Sequence, residues 1–370
     1  MGLCSHHRCP GSLSQEVTYY DTSMYLCKMK EKLFGKTLPQ LKEVVKHLGL
    51  QGFVATQIAD WLYKKQIDSI EQMTNLSLKI RFLLNENFEL GLDEPVKVQA
   101  SVDGTKKYLF PAKEGKFIET AYIPDENRAT LCVSSQIGCK MGCLFCWTGK
   151  QGFQGQLSAG EILNQFHSLP ERENITNIVY MGMGEPFDNL QNVLDSLEIL
   201  TSEWGYAMSS KRITVSSIGI IPGMKAFLEQ SSCHLAISLH NPFDEERRKM
   251  MPVQNVYPIS DVLDEIRSFP IGPQRRVSFE YIMFKGVNDT QRHIKELVRI
   301  LNGIECRINL IRFHPIPGTP LEGSDSDTIV LFNQTLNRKG ILTTTRASRG
   351  LDIYAACGML STKELIQPKA

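Results

Sequence analysis

Thr130-Leu-Cys-Val-Ser-Ser135 runs straight into Gln136-Ile-Gly-Cys-Lys-Met-Gly-Cys-Leu-Phe-Cys146. The first stretch has the composition of a strand, and the second, broken by Gly138 and Gly142, does not continue it. Cys139, Cys143 and Cys146 therefore share one loop at CxxxCxxC spacing, and thiolates are the usual ligands of iron–sulfur clusters. Three ligands on a four-iron cube leave one iron open. Zinc is the alternative, but the loop has no second CxxC and no close HxxxH to complete four ligands. The spacing is read as a site for one [4Fe–4S] cluster.

Outward from this loop the chain alternates strand-like and helix-like segments. Strand candidates are Thr130–Ser135, Ile178–Met181, Arg212–Ser216, His234–Ser238, Val277–Met283, Arg307–Ile311 and Leu342–Arg346. Helical periodicity fills the intervals at Ser158–Ser168, Asn189–Glu203, Ile259–Phe269, Gln291–Leu301 and Asp327–Arg338. Repeated βα units imply a parallel sheet wrapped by helices, so an α/β fold of partial (β/α)6-barrel type is expected over 125–360. Before it, apolar residues at helical spacing (Leu41, Val44, Val45 and Leu48; Ile58, Trp61 and Leu62; Leu76, Ile80, Leu83 and Leu84) mark a helical accessory domain over 29–95. Short alternating segments over 96–124 read as a β-rich connection. Residues 1–28 and 361–370 are read as tails.

The unusual residues fall at C-terminal strand ends, where barrel enzymes place their chemistry. The cysteine loop follows the first strand and Gly182-Met-Gly-Glu185 the second, Ser216 ends the third, Ser238-Leu239-His240 the fourth, and His314 lies just past Ile311. An open iron can chelate the amino and carboxylate groups of S-adenosylmethionine (SAM) and pass an electron into its sulfonium. Glu185 can accept from the SAM ammonium, and Gly184 lets backbone come close to a ligand.

Composition sets outer limits. With 41 Lys plus Arg against 40 Asp plus Glu in 370 residues, no overall field draws the molecule to a polyanion, so any nucleic-acid contact uses local patches. The candidates are Lys211-Arg212, Arg247-Arg248-Lys249, Arg275-Arg276, and Arg346 with Arg349. No run approaches the roughly 18 apolar residues of a membrane span, and Met1–Gln15 lacks the apolar stretch of a signal peptide. A cytoplasmic location and no membrane contact are expected, with the chain acting as a monomer. Ten cysteines, four of them within Cys132–Cys146, suit metal or redox chemistry in a reducing compartment better than a disulfide scaffold.

The run Ala129–Cys139, with Cys143-Leu-Phe-Cys146, Met181-Gly-Met-Gly-Glu-Pro186, Ser238-Leu-His240 and Asp352-Ile-Tyr-Ala-Ala-Cys-Gly358, resembles the RlmN/Cfr family of radical SAM RNA methyltransferases from about Met29 to Leu360. The resemblance implies that Cys357 is methylated by one SAM in a polar displacement. A second SAM, cleaved at the cluster, yields an adenosyl radical that takes hydrogen from the S-methyl group. The methylene radical adds to carbon 2 of adenine, an electron-poor carbon closed to direct polar transfer, and a covalent protein–RNA adduct forms. Glu119, thirteen residues before Cys132, matches the family's proton acceptor. Cys132 then attacks the Cys357 sulfur, and the transient disulfide releases the methylated base. By the same resemblance Gly184, Glu185, Ser216, Ser238, Leu239, His240 and His314 contact SAM.

The implied substrates are adenine 2503 of 23S rRNA and adenine 37 of tRNAs, with an unidentified electron donor as a further partner. Cfr-type methylation of carbon 8 is the alternative; Glu119-Thr-Ala-Tyr-Ile-Pro124 and Arg128-Ala-Thr-Leu-Cys132 look more like RlmN. Three positions depart from the pattern: His314 stands where Asn is common, Trp147 where a small residue follows the third cluster cysteine, and Tyr354 where Asp is common. Readings from other classes are a radical SAM enzyme acting on protein or a small molecule, which has no need of Cys132 or Cys357, and a zinc-containing RNA-binding protein.

Overall fold

The computed structural model describes residues 30–362. The expected tail at 1–28 and all but Ser361 and Thr362 of the one at 361–370 lie outside the described residues.

One ten-stranded sheet organises the chain, and its strands lie side by side in sequence order. Three antiparallel strands come first: β1 (Lys97–Ala100), β2 (Lys106–Pro111) and β3 (Phe117–Asp125). The seven parallel strands that follow are β4 (Arg128–Cys132), β5 (Asn177–Tyr180), β6 (Ile213–Ser217), β7 (His234–Ser238), β8 (Val277–Met283), β9 (Cys306–Arg312) and β10 (Leu342–Thr345). All seven correspond to strand candidates of the sequence. Every side chain of β8 is buried, as a parallel strand covered on both faces requires. The segment over 96–124 continues the barrel sheet, through the antiparallel pairing of β3 with β4 that sets Ala121 opposite Cys132.

Six helical crossovers link the parallel strands. The helix Ala159–His167 starts on a reciprocal capping box between Ser158 and Glu161 and joins β4 to β5. Leu190–Thr201, Ile259–Ser268, Gln291–Ile300 and Ser326–Arg338 occupy the expected intervals. Two of the longer crossover helices have no counterpart among the helical candidates of the sequence. Ile221–Gln230 opens on Pro222 and Gly223, which read as a turn although proline suits a helix's first turn, and Asp244–Met250 is a charged run with no apolar periodicity.

The helical N-terminal region comprises Leu38–His47, Phe53–Ala59 continued by a π-turn over Asp60–Lys65, and Leu78–Asn87. It docks on the barrel at Gly35, whose φ of +92° and closeness to Gly160 leave no room for a side chain. There the Tyr63 hydroxyl donates to the Lys36 carbonyl at 2.7 Å and accepts from the Gly35 amide at 3.2 Å.

The sheet's two edges, β1 and β10, are bridged by the chain beyond β10. Arg349 reaches Asp125 at 3.2 Å, the Gly350 amide donates to Asp103 at 2.9 Å, and the Ser101 hydroxyl donates to Asp352 at 2.6 Å. This segment carries Cys357 back across the C-terminal ends of the strands.

Candidate active site

The cluster loop leaves β4 with a sharp reversal. Gly138 has a φ of +71°, and a Cβ there would stand 1.8 Å from the Gly152 carbonyl oxygen, so only glycine fits. The Cys139 amide closes the turn on the same carbonyl at 3.1 Å, and Cys146 caps the short helix Trp147–Gln151. Cys139 and Cys143 are buried and Cys146 half-buried. Burial pushes the Cys139 thiol up to about 12 and Cys143 well above the ordinary thiol range, and Cys146 raises both further by its charge. Arg247, also buried, opposes that shift at Cys143.

The turn Gly182–Glu185 packs on the strand extension that precedes the cluster loop. Met183 accepts from the amides of Ser135 and Gln136, Gln136 Oε1 accepts from the Glu185 amide at 2.8 Å, and the Ser134 hydroxyl accepts from the Met183 amide at 2.8 Å. The glycines serve this packing: a Cβ on Gly184 would meet Gln136 at 2.6 Å and one on Gly182 would meet Ser134 Oγ at 2.7 Å. Glu185 accepts from the amides of Phe187 and Ile218, both at 3.0 Å, and burial nevertheless pushes its carboxyl up to about 7.

Further round the rim, Ser216 and Ser238 are half-buried at the ends of β6 and β7, and Leu239 is buried. His240 has a φ of +53°, its Nδ1 accepts from the Ile282 amide at 3.1 Å, and its ring meets Phe145 edge-on at 4.7 Å between centroids. Burial lowers the His240 ring to about 3, so it stands neutral against the cluster loop. His314 Nε2 lies 2.7 Å from the Ser348 hydroxyl. Arg247, read in the sequence as part of a basic patch, has a fully buried guanidinium instead. It donates to the carbonyls of Ile218, Ser238 and Leu239 and to Gln254 Oε1, which fastens three rim loops together.

Cys132 ends β4 and packs with Ala121, Ile353 and Ala355, so the segment bearing Cys357 lies directly over it. Burial pushes the Cys132 thiol up to about 12, and the charge of Cys357 adds to the shift. Arg346 stands beside Cys357: its Nη1 lies 4.0 Å from Cys357 Sγ, 3.2 Å from Met181 Sδ and 3.7 Å from Glu280 Oε2. The other face of the segment is fastened to the helix after the cluster loop, with Trp147 N donating to the Gly358 carbonyl at 2.8 Å and Thr148 Oγ1 to the Leu360 carbonyl at 2.6 Å. Two departures from the family pattern meet here, as Trp147 and Tyr354 pack edge-to-face with centroids 5.7 Å apart. Glu119, on β3, is buried; Lys107 Nζ stands 2.9 Å from its Oε1 and the Ser361 amide donates to its Oε2 at 2.8 Å.

Residues 133–299 match the model of the radical SAM superfamily, and residues 31–90 match the ribosomal RNA large subunit methyltransferase N-terminal domain. Over 333 residues the chain is 56% identical to a Bacteroides thetaiotaomicron protein named probable dual-specificity RNA methyltransferase RlmN, covering 90% of this chain and 96% of that one. The chain belongs to the RlmN family of radical SAM RNA methyltransferases. An RlmN of Syntrophus aciditrophicus is 41% identical across 89% of this chain and 96% of its own length. A crystal structure of a radical SAM methyltransferase from Sphaerobacter thermophilus matches with a TM-score of 0.83 at 37% identity, over 89% of this chain and 99% of that one.

Membership in the RlmN family implies a [4Fe–4S] cluster and SAM, and the residues present fit both. Cys139, Cys143 and Cys146 lie on one loop, where the Cys146 amide closes on the Cys143 carbonyl at 3.1 Å, and three thiols of one loop suit a cube whose irons each take one thiolate. Ser135 Oγ, four residues before Cys139, is buried with no hydrogen-bond partner among the described residues. Arg247, Lys107 and the pairing of Arg346 with Glu280 gave no sequence signal as site features, because each depends on contacts between different strands or loops.

Proposed function

We propose that this RlmN-family enzyme methylates carbon 2 of adenine 2503 in 23S rRNA and of adenine 37 in tRNAs, through a methylated Cys357 and a covalent protein–RNA adduct, with two SAM molecules per turnover. The observation that carries the reading is the meeting of Cys132 with the Cys357 segment beside Arg346, next to the loop of Cys139, Cys143 and Cys146. When bound, the cluster and SAM would supply the electron, the 5′-deoxyadenosyl radical and the methyl carbon.

The chain's own groups divide the remaining work. Cys357, the exposed cysteine of the pair, takes the methyl group on its sulfur, which lies 4.0 Å from Arg346 Nη1. Once the adduct radical has given up one electron, which the bound cluster would take back, Glu119 accepts the proton from the substituted ring carbon. Cys132 then attacks the Cys357 sulfur; the sulfur–carbon bond breaks, its electron pair returns to the carbon, and a proton completes the methyl group. The disulfide left behind is reset by two electrons from a thiol reductant. Gly184, Glu185, Ser216, Ser238, Leu239, His240 and His314 are assigned to SAM, with Glu185 receiving the ammonium group.

Reconstituted enzyme incubated with reductant, SAM and each RNA, followed by nucleoside mass spectrometry, tests the proposal. The expected product is 2-methyladenosine from both RNAs. A methyl group at carbon 8 would transfer the reading to the Cfr type, and full activity in Cys357→Ala would end it.

A further inference from the structure

Lys107 belongs to no part of the reaction described so far, yet its charge is buried among the described residues. The register of β2 with β3 sets Lys107 opposite Ala121, and that of β3 with β4 sets Ala121 opposite Cys132. Side chains alternate along a strand, so Glu119, two residues from Ala121, shares their face and is the diagonal neighbour of Lys107. The side chains of the pair are only 8% and 6% exposed, and the ammonium nitrogen stands 2.9 Å from Glu119 Oε1. Both line a cavity with Trp147, Tyr354 and Ser361, the residues that flank the cluster loop and the Cys357 segment.

Taking two charges out of water is costly, and a buried pair of this kind is weak as a device for stability alone. Its value lies in what it lets the carboxylate do. A carboxylate buried without a partner takes up a proton to shed its charge, and a protonated Glu119 has no site left for a proton from carbon. The Ser361 amide on Oε2 fixes the second oxygen from the Cys357 segment, so Lys107 and that segment aim the carboxylate from opposite sides.

We propose that Lys107 is a positioning residue for the proton-transfer step, holding Glu119 charged and oriented toward the base bonded to Cys357. This rests on the reading of Glu119 as the proton acceptor. In the step the carbon–hydrogen bond of the adduct breaks, its electron pair stays in the ring, and the proton moves to a Glu119 oxygen. Lys107 keeps all of its own protons.

Because the step follows adduct formation, its failure leaves protein and RNA joined. The full-length, reconstituted enzyme is mixed with SAM, reductant and an RNA fragment containing the target adenine, quenched over time, and run on a denaturing gel. Cys132→Ala, which cannot form the disulfide, accumulates adduct if the proposed reaction is right; no adduct in this variant overturns that reading and the role of Lys107 with it. Given adduct, Lys107→Met resolves it at least about tenfold more slowly than wild type, within the range of a general base, and Lys107→Arg restores the rate to within about threefold. Adduct forming and resolving at the wild-type rate in Lys107→Met overturns the role of Lys107 alone. Should that variant fail to fold, Lys107→Met/Glu119→Gln removes both charges together. It should resolve adduct as slowly as Glu119→Gln and no slower, since Lys107 acts through Glu119; a further multiplicative loss in the double variant overturns the proposal.

Discussion

Arg247 shows how much one side chain can hold at the rim. Its guanidinium donates to three carbonyls from two different strand-end loops and to Gln254, with no part of it exposed. Desolvation lowers the group to about 10, still far above neutrality, so it is a cation at working pH. Arg247→Met leaves those carbonyls buried and unpartnered, and the expected cost is about 3 kcal/mol or more, read as a lower denaturant midpoint. SAM affinity, measured by calorimetry on the loaded enzyme, should fall as well, because Ser238 and Leu239 hang on the same guanidinium. The sequence could show only that Arg247, Arg248 and Lys249 adjoin one another. Which of three neighbouring cations turns inward depends on the carbonyls that the end of β7 presents, and no local pattern encodes those. The cysteines of the cluster loop are the opposite case, since spacing within one loop already limits them to a common centre.

Among elements, the segment after β10 has the largest consequences. Asp103 and Asp352, on opposite sides of the same junction, accept from Gly350 and Ser101 and pin the turn before Cys357. Desolvation raises the Asp103 carboxyl, but the amides of Gly350 and Thr105 and nearby hydroxyls outweigh it and hold the group near 2. A carboxyl depressed in this way contributes stability that is complete above its usual value near 4 and lost as the pH falls through 2. Hydrogen exchange in 349–358 should therefore accelerate between those limits, and Asp103→Asn should show the acceleration already at neutral pH. Unchanged exchange in that variant would place the anchor elsewhere. The sequence showed Cys357 in a glycine-flanked loop and, through the family resemblance, its pairing with Cys132. It did not show the anchors, since Ser101 and Asp352 lie 251 positions apart and each is an ordinary turn residue.

For the molecule as a whole, the order of strands and helices was legible because the parallel strands are short segments rich in apolar and β-branched residues and most crossover helices carry clear periodicity. The docking of the helical region was not, as it depends on two glycines meeting back to back. Gly35→Ala would place a Cβ 2.1 Å from the Gly160 amide nitrogen at a φ of +92°, forcing the two parts to separate or bend. A cost of about 3 kcal/mol is expected, lowering the unfolding temperature by several degrees in calorimetry. An unshifted melting curve would show that the junction yields freely.

The bridge from β10 back to β1 also has a meaning in time. Closing a long loop carries an entropic cost that must be met before its contacts give anything back, so chains rich in distant pairings fold slowly. Neighbouring strands of this sheet are neighbours in sequence and can assemble one after another as the chain leaves the ribosome. The corner that joins Cys132 to Cys357 needs both ends of that sheet in place. Assembled in that order, the corner assigned above to methyl transfer forms last, when the loop of Cys139, Cys143 and Cys146 is already in place.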